Sequence, residues 1–193
     1  MVTVCWHCLD MTENDERFVA GALKELAQNL EKDPIKLPVS IKQLRDKSKL
    51  TEKVRERLNK LNDQSCEFST CSAVIADTFV SEEGIAQRLL VYCSPDSNIA
   101  EAARRKESSA KYGANCGFFS AVYKPNSKVI VWHEALHLLG ADDCYIVEDR
   151  RVRKKSCCKL DGCIMEYNPP ESTCEKWPFL CDRNVKKLKE FAK

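Results

Sequence analysis

No uninterrupted apolar stretch in the 193 residues approaches the roughly 20 that span a bilayer, so no membrane-spanning helix is expected. Charge of one sign is also missing: 31 Lys and Arg are interspersed with 29 Asp and Glu. The resulting net charge of +2 gives no electrostatic case for nucleic acid. There is no repeat, low-complexity tract or Gly/Ser linker, which points to one continuous domain over 1–193. With 44% apolar and 31% charged residues, the chain is neither a disordered polyampholyte nor a membrane bundle. Histidine is scarce, at three residues, and cysteine is abundant, at 12.

Twelve cysteines have two competing uses, disulfides in an oxidising compartment or thiolate metal sites in a reducing one. Cys5 and Cys8 form the one CxxC, so no second CxxC completes a zinc ribbon. Disulfides are therefore expected, pinning the cysteine-rich C-terminal part, and with them secretion. The alternative is a cytoplasmic protein whose cysteines bind zinc. Met1 to Cys8 has no charged segment followed by an apolar one, so a secretory signal would already have been removed.

The apolar pattern predicts mixed α/β structure. Thr12 or Asn14 can cap a helix carrying Phe18, Ala22, Leu26 and Leu30, stopped by Pro34. Ile35, Leu37, Val39 and Ile41 then alternate as in a half-buried strand. Thr51 opens a second helix with Val54, Leu58 and Leu61, and β-rich runs follow at 73–80, 89–93 and 117–123. Residues 97–111 read as a short helix or surface loop. A third helix starts at Pro125 to Ser127 and stops at Gly140; Asp182 or Asn184 caps a last one with Val185, Leu188 and Phe191. An α/β upper lobe (1–140) above a small irregular lower lobe (141–193) is the expected architecture.

Chemistry concentrates in His133-Glu134-Ala135-Leu136-His137-Leu138-Leu139-Gly140-Ala141-Asp142-Asp143. On a helix, residues four apart lie one above the other, so His133 and His137 can aim two imidazoles at one ion. Glu134 is turned by about 100° from His133, placing its carboxylate to take a proton from a water held by that ion. Gly140 permits a reversal that brings an aspartate back as third ligand, leaving a fourth position open as in catalytic zinc sites. With three histidines and 17 glutamates, an accidental HExxH has a chance of roughly 0.4%.

The run HExxHxxGxxD, with Met165 in Cys163-Ile164-Met165-Glu166-Tyr167, resembles the metzincin clan of zinc peptidases. Asp143 in place of the clan's third histidine is similar to the snapalysin family, and the Cys-Ile-Met turn to the adamalysin (reprolysin) branch. A cysteine directly after the third ligand and another just before the methionine are similar to archaemetzincins, whose C-terminal CxxC is missing here. The resemblance implies a metzincin-like α+β fold, with a twisted mixed sheet and an active-site helix above a lower lobe holding the Met-turn and a C-terminal helix. It implies one catalytic Zn²⁺ on His133, His137 and Asp143, Glu134 as general base, and Met165 as a floor beneath the metal. Asp143 is preferred to Asp142 because it lies six residues after His137, as the clan's third ligand does. Tyr167 is either a catalytic donor to the oxyanion or a wall residue. The implied activity is a monomeric metalloendopeptidase acting on protein or peptide, the alternative a non-catalytic module with structural zinc. Residues 117–123 are the expected edge strand for substrate, and Glu166 and Glu171 hint at basic or polar residues after the cut.

Overall fold

The computed structural model describes residues 1–9, 12–44, 47–60, 68–83, 88–93, 113–116, 119–122, 127–148, 151–156, 158–167 and 169–191. The reading of 97–111, Leu61, Pro125 and Asn126 lies outside them. A five-stranded sheet runs in the order β2 (Val39–Gln43), β1 (Val2–Leu9), β3 (Leu89–Cys93), β5 (Phe119–Val122), β4 (Gly113–Cys116). The first four strands in that order pair in parallel, and β4 pairs antiparallel with β5. The sheet is therefore mixed, in an α/β arrangement.

Alternation along β1 and β3 sends side chains to two covered faces. Val4, Trp6, Cys8, Leu90 and Tyr92 join the apolar cluster formed with α1 (Glu13–Leu30) and α4 (Lys128–Leu138). On the opposite face His7 bonds Thr51 of α2 (Lys47–Asn59) and meets the Phe79 ring of α3 (Phe68–Glu83) edge-on. Thr12 caps α1 in a reciprocal capping box with Asp15, while Asn14 lies inside the helix. The apolar stripe is as expected, with Val19, Ala22, Leu23, Leu26, Ala27 and Leu30 buried.

Two sequence expectations are corrected here. Residues 73–80 belong to a helix, α3, rather than a strand. Val74, Ile75, Thr78 and Val80 are β-branched, but Ile75 and Phe79 lie four apart and both are buried, which is the helical period. Thr78 adapts by donating its hydroxyl to the Val74 carbonyl, and Arg57 of α2 bonds both Thr78 and Asp77. The second correction concerns the edge strand. Within 117–123, the strand β5 lies between β3 and β4, so the sheet edge on this side is β4. Parallel pairing with β3 across a chain crossover is a tertiary fact that local alternation does not carry.

α4 is apolar nearly all round, and nine of its residues are buried, including His133 and Glu134. Trp132, fully buried, donates its indole N–H to the Ala22 carbonyl at 2.7 Å and packs on Phe179. The helix is thus held between α1 and the C-terminal region. That region contains a hairpin of β6 (Tyr145–Glu148) and β7 (Arg151–Lys154), a 3₁₀ turn at Glu171–Glu175, and α5 (Asp182–Phe191). Cys144, Cys163, Ile164, Met165, Phe179 and Leu188 complete the cluster beneath α4. No described helix is long and apolar enough to cross a membrane.

Candidate metal centres

Both ends of α4 are tied before the site begins. Ser127 accepts from the Ile130 N–H and donates to Glu171 Oε1 at 2.5 Å, while Glu171 Oε2 accepts from the Val129 N–H. An acid here satisfies exposed donors and the positive helix end. At the other end Gly140 has φ of +90°. Its N–H reaches the His137 carbonyl and the Ala141 N–H reaches that of Leu136, a paired terminus that needs glycine's left-handed backbone. A Cβ at Gly140 would also sit 3.3 Å from the Phe191 ring.

This reversal brings the ligand candidates together. His133 Nδ1 donates to the Ile164 carbonyl at 2.8 Å and His137 Nδ1 to the Ala141 carbonyl at 2.9 Å. With both Nδ1 atoms engaged, the two Nε2 lone pairs are the available ligating atoms. They stand 3.2 Å apart, and Asp143 Oδ1 lies 3.1 Å from one and 3.3 Å from the other. For tetrahedral zinc with ligand bonds near 2.05 Å, the ligand–ligand edge is about 3.3 Å. The triangle therefore has the size of one face of a zinc site. Asp142 points elsewhere, pairing with Arg183 and with Lys187 at 2.5 Å.

Glu134 is buried beside the triangle, and its Oε2 has no hydrogen-bond partner. Burial pushes its pKa up, against the nearby histidines, which hold it down. A desolvated carboxylate with an unused oxygen suits a group that accepts a proton from a guest water. Asp143 is held well below the usual carboxylate range: burial opposes this, but hydrogen bonds from both histidines outweigh it. His137 is pushed up to about 9; burial opposes the rise, and Asp143 and Glu134 drive it.

A cation entering here at pH 7 must therefore displace a proton that metal-free His137 carries. Uptake of a divalent cation at this site is expected to release protons, and its apparent affinity to rise with pH and level off only above about 9, as His137 loses its proton. Calorimetry in buffers of different ionisation enthalpy counts those protons, and a count of zero at pH 7 would overturn the assignment.

Met165 is fully buried, its carbonyl accepting from the Cys144 N–H at 2.7 Å. Tyr167 is half-exposed and meets Tyr145 edge-on at 5.3 Å, and Tyr145 in turn faces His133 at 6.5 Å. Tyr145 is the nearer phenol, and burial together with the neighbouring Asp143 charge pushes its pKa up. Glu166 is paired with Lys154 at 2.5 Å. With Glu171 committed to the α4 N-terminus, neither acid is left as a free determinant of substrate charge.

A second group was not expected from spacing. Cys144, Cys158, Cys163 and Cys181, all buried, bring four sulfurs within 4.8 Å of one another. Cys144 Sγ lies 3.7 Å from Cys163 Sγ and 3.6 Å from Cys181 Sγ, far beyond the roughly 2.0 Å of a disulfide. Tetrahedral zinc with Zn–S bonds near 2.3 Å has sulfur–sulfur edges of about 3.8 Å. These four cysteines thus form a metal-sized cluster where disulfides were expected. The hydrogen bond with Cys144, with help from the Cys181 N–H, holds the Cys163 thiol below its usual range. A thiolate at this position is what a cation would require.

The chain matches no protein-family model, no curated protein and no solved structure. Both groups of residues can hold a metal ion, on the strength of donor chemistry and geometry. Sequence reasoning passed over the residues that support them. Asn184, considered only as a helix cap, accepts from the Asp142 N–H and donates to the Asp142 carbonyl, both at 2.9 Å. Lys155 donates to the Asp143 carbonyl at 2.9 Å. Cysteines immediately after Asp143 and two before Met165 were the available signal for the sulfur group.

Proposed function

We propose that this protein is a zinc-dependent endopeptidase of metzincin type, acting on a protein or peptide. The observation that carries the reading is the buried Glu134 carboxylate, with one oxygen unpartnered, beside three ligand atoms spaced as a tetrahedral face. His133, His137 and Asp143 would hold a zinc ion, which would supply Lewis acidity to the scissile carbonyl and to water. Glu134 takes the proton of the attacking water and delivers it to the leaving amine. The carbonyls of Ile164 and Ala141 keep both imidazoles in the ligating tautomer. Asp143 adds one negative charge relative to a third histidine, which softens the Lewis acid without disabling it.

Substrate backbone pairs along the open side of β4, the edge strand nearest α4. Tyr145 and Tyr167 wall the cleft. Tyr167 offers its hydroxyl to the oxyanion as the metzincin resemblance implies. The four-cysteine group is a second, structural centre for a thiophilic cation, comparable to the cysteine-zinc site of archaemetzincins but built without a CxxC. Such thiolates persist in a reducing compartment, which favours the cytoplasmic alternative over secretion.

Metal analysis of the purified chain is expected to give two zinc ions. Cleavage of a diverse peptide library should be lost on chelation and regained on adding zinc. A fully metal-loaded protein that cleaves nothing in such a library would overturn the reading.

A further inference from the structure

Each cysteine of the sulfur group sits on a segment that also holds one part of the His/Asp site. Cys144 follows Asp143 directly, and its N–H is bonded to the Met165 carbonyl. Cys163 precedes Ile164, whose carbonyl fixes the His133 ring. Cys181 adjoins α5, whose Asn184 grips Asp142 by both backbone groups and donates to Cys144 Sγ at 3.5 Å. The Cys158 N–H is bonded to the carbonyl of Lys155, the residue that holds the Asp143 carbonyl. His137, by contrast, is oriented from within α4 and its own terminus.

We propose that the cation in the four-sulfur centre is the positioning element of the His/Asp site, filling first and setting how tightly the second ion is held. The inference rests on the endopeptidase reading for the role of the second ion, though not for the coupling itself. These four segments contain little regular structure, so they contribute few ladder hydrogen bonds to hold Asp143 in place. One ion bonded to four sulfurs joins them at a single point, adjacent to the third ligand. Without it, the four sulfurs, with those of Cys163 and Cys181 at 3.7 and 3.6 Å from that of Cys144, have no common counter-charge, and the loop bearing Asp143 is held by hydrogen bonds alone. Coupling between sites is reciprocal in free energy, and typical values correspond to 5–150-fold in affinity.

The test is a Co²⁺ titration of the full-length, metal-stripped, reduced protein. Cobalt at thiolates gives intense near-ultraviolet charge-transfer bands, whereas at two imidazoles and a carboxylate it gives only weak visible bands. The thiolate bands should saturate with the first equivalent and the weak bands appear with the second. In Cys158→Ser, affinity of the His/Asp site should fall at least tenfold, while Cys174→Ser, which removes a buried cysteine outside the cluster, should leave both sites as in wild type. A His/Asp affinity within twofold of wild type in a Cys158→Ser protein that has lost its thiolate bands would overturn the proposal.

If Cys158→Ser does not fold, the zinc-loaded wild type is treated with a mercurial that ejects thiolate-bound metal. Release of both ions together is expected, and retention of one ion with peptidase activity would overturn the coupling. Normal saturation of the thiolate bands with no second site at all would instead count against the endopeptidase reading.

Discussion

Glu134→Gln is expected to lower kcat/KM for peptide cleavage by roughly 10²–10⁴-fold while the zinc content stays at two ions. The substitution keeps the size of the side chain and removes only its capacity to accept and return a proton. Glu134 is not among the three ligand atoms, so metal affinity has no reason to change. Its unpartnered Oε2 also means that no internal hydrogen bond is lost when the amide replaces it. Metal analysis alongside steady-state kinetics makes the comparison. A variant as active as the parent would remove Glu134 as the general base, and one that loses zinc would make it a ligand.

Adjacent aspartates should behave in opposite ways. Asp143→Ala removes an oxygen 3.1 and 3.3 Å from the two imidazole nitrogens. It is expected to weaken zinc at this site by more than the 10–100-fold typical of losing a group behind a ligand. Asp142→Ala breaks pairs with Arg183 and Lys187 that are half-exposed, each contributing about 0–1 kcal/mol. The backbone of Asp142 stays clamped by Asn184, so the loop and its metal should persist. Competition with a chromogenic chelator reads both affinities, and the reverse pattern would move the third ligand to Asp142.

Legibility followed the range of the interactions. The α1 start at Thr12 or Asn14, the start of the later helix at 125–127, the α1 stripe and the glycine stop after α4 are local, decided within one or two turns of chain, and the spacing displayed them, leaving the choice of Thr12 and Ser127 as caps to the structure. The 73–80 segment misled because β-branched content and four-residue spacing disagreed, and packing against α2 favoured the helix. Glu166 and Glu171 suggested a substrate preference only while their partners, Lys154 and the α4 N-terminus, were unseen.

His133 and His137 owe their shared face, and Glu134 its offset of about 100° from it, to helical geometry alone, and the sequence by itself determined that much. Which aspartate turns back, where the edge of the sheet lies, and that cysteines 144, 158, 163 and 181 converge were decided by tertiary structure. Those outcomes depend on contacts between residues distant in sequence, such as Asn184 on Asp142 and Cys181 beside Cys144. Loop closure over such separations has an entropy cost that no local pattern records, and only the folded chain shows which closures are made.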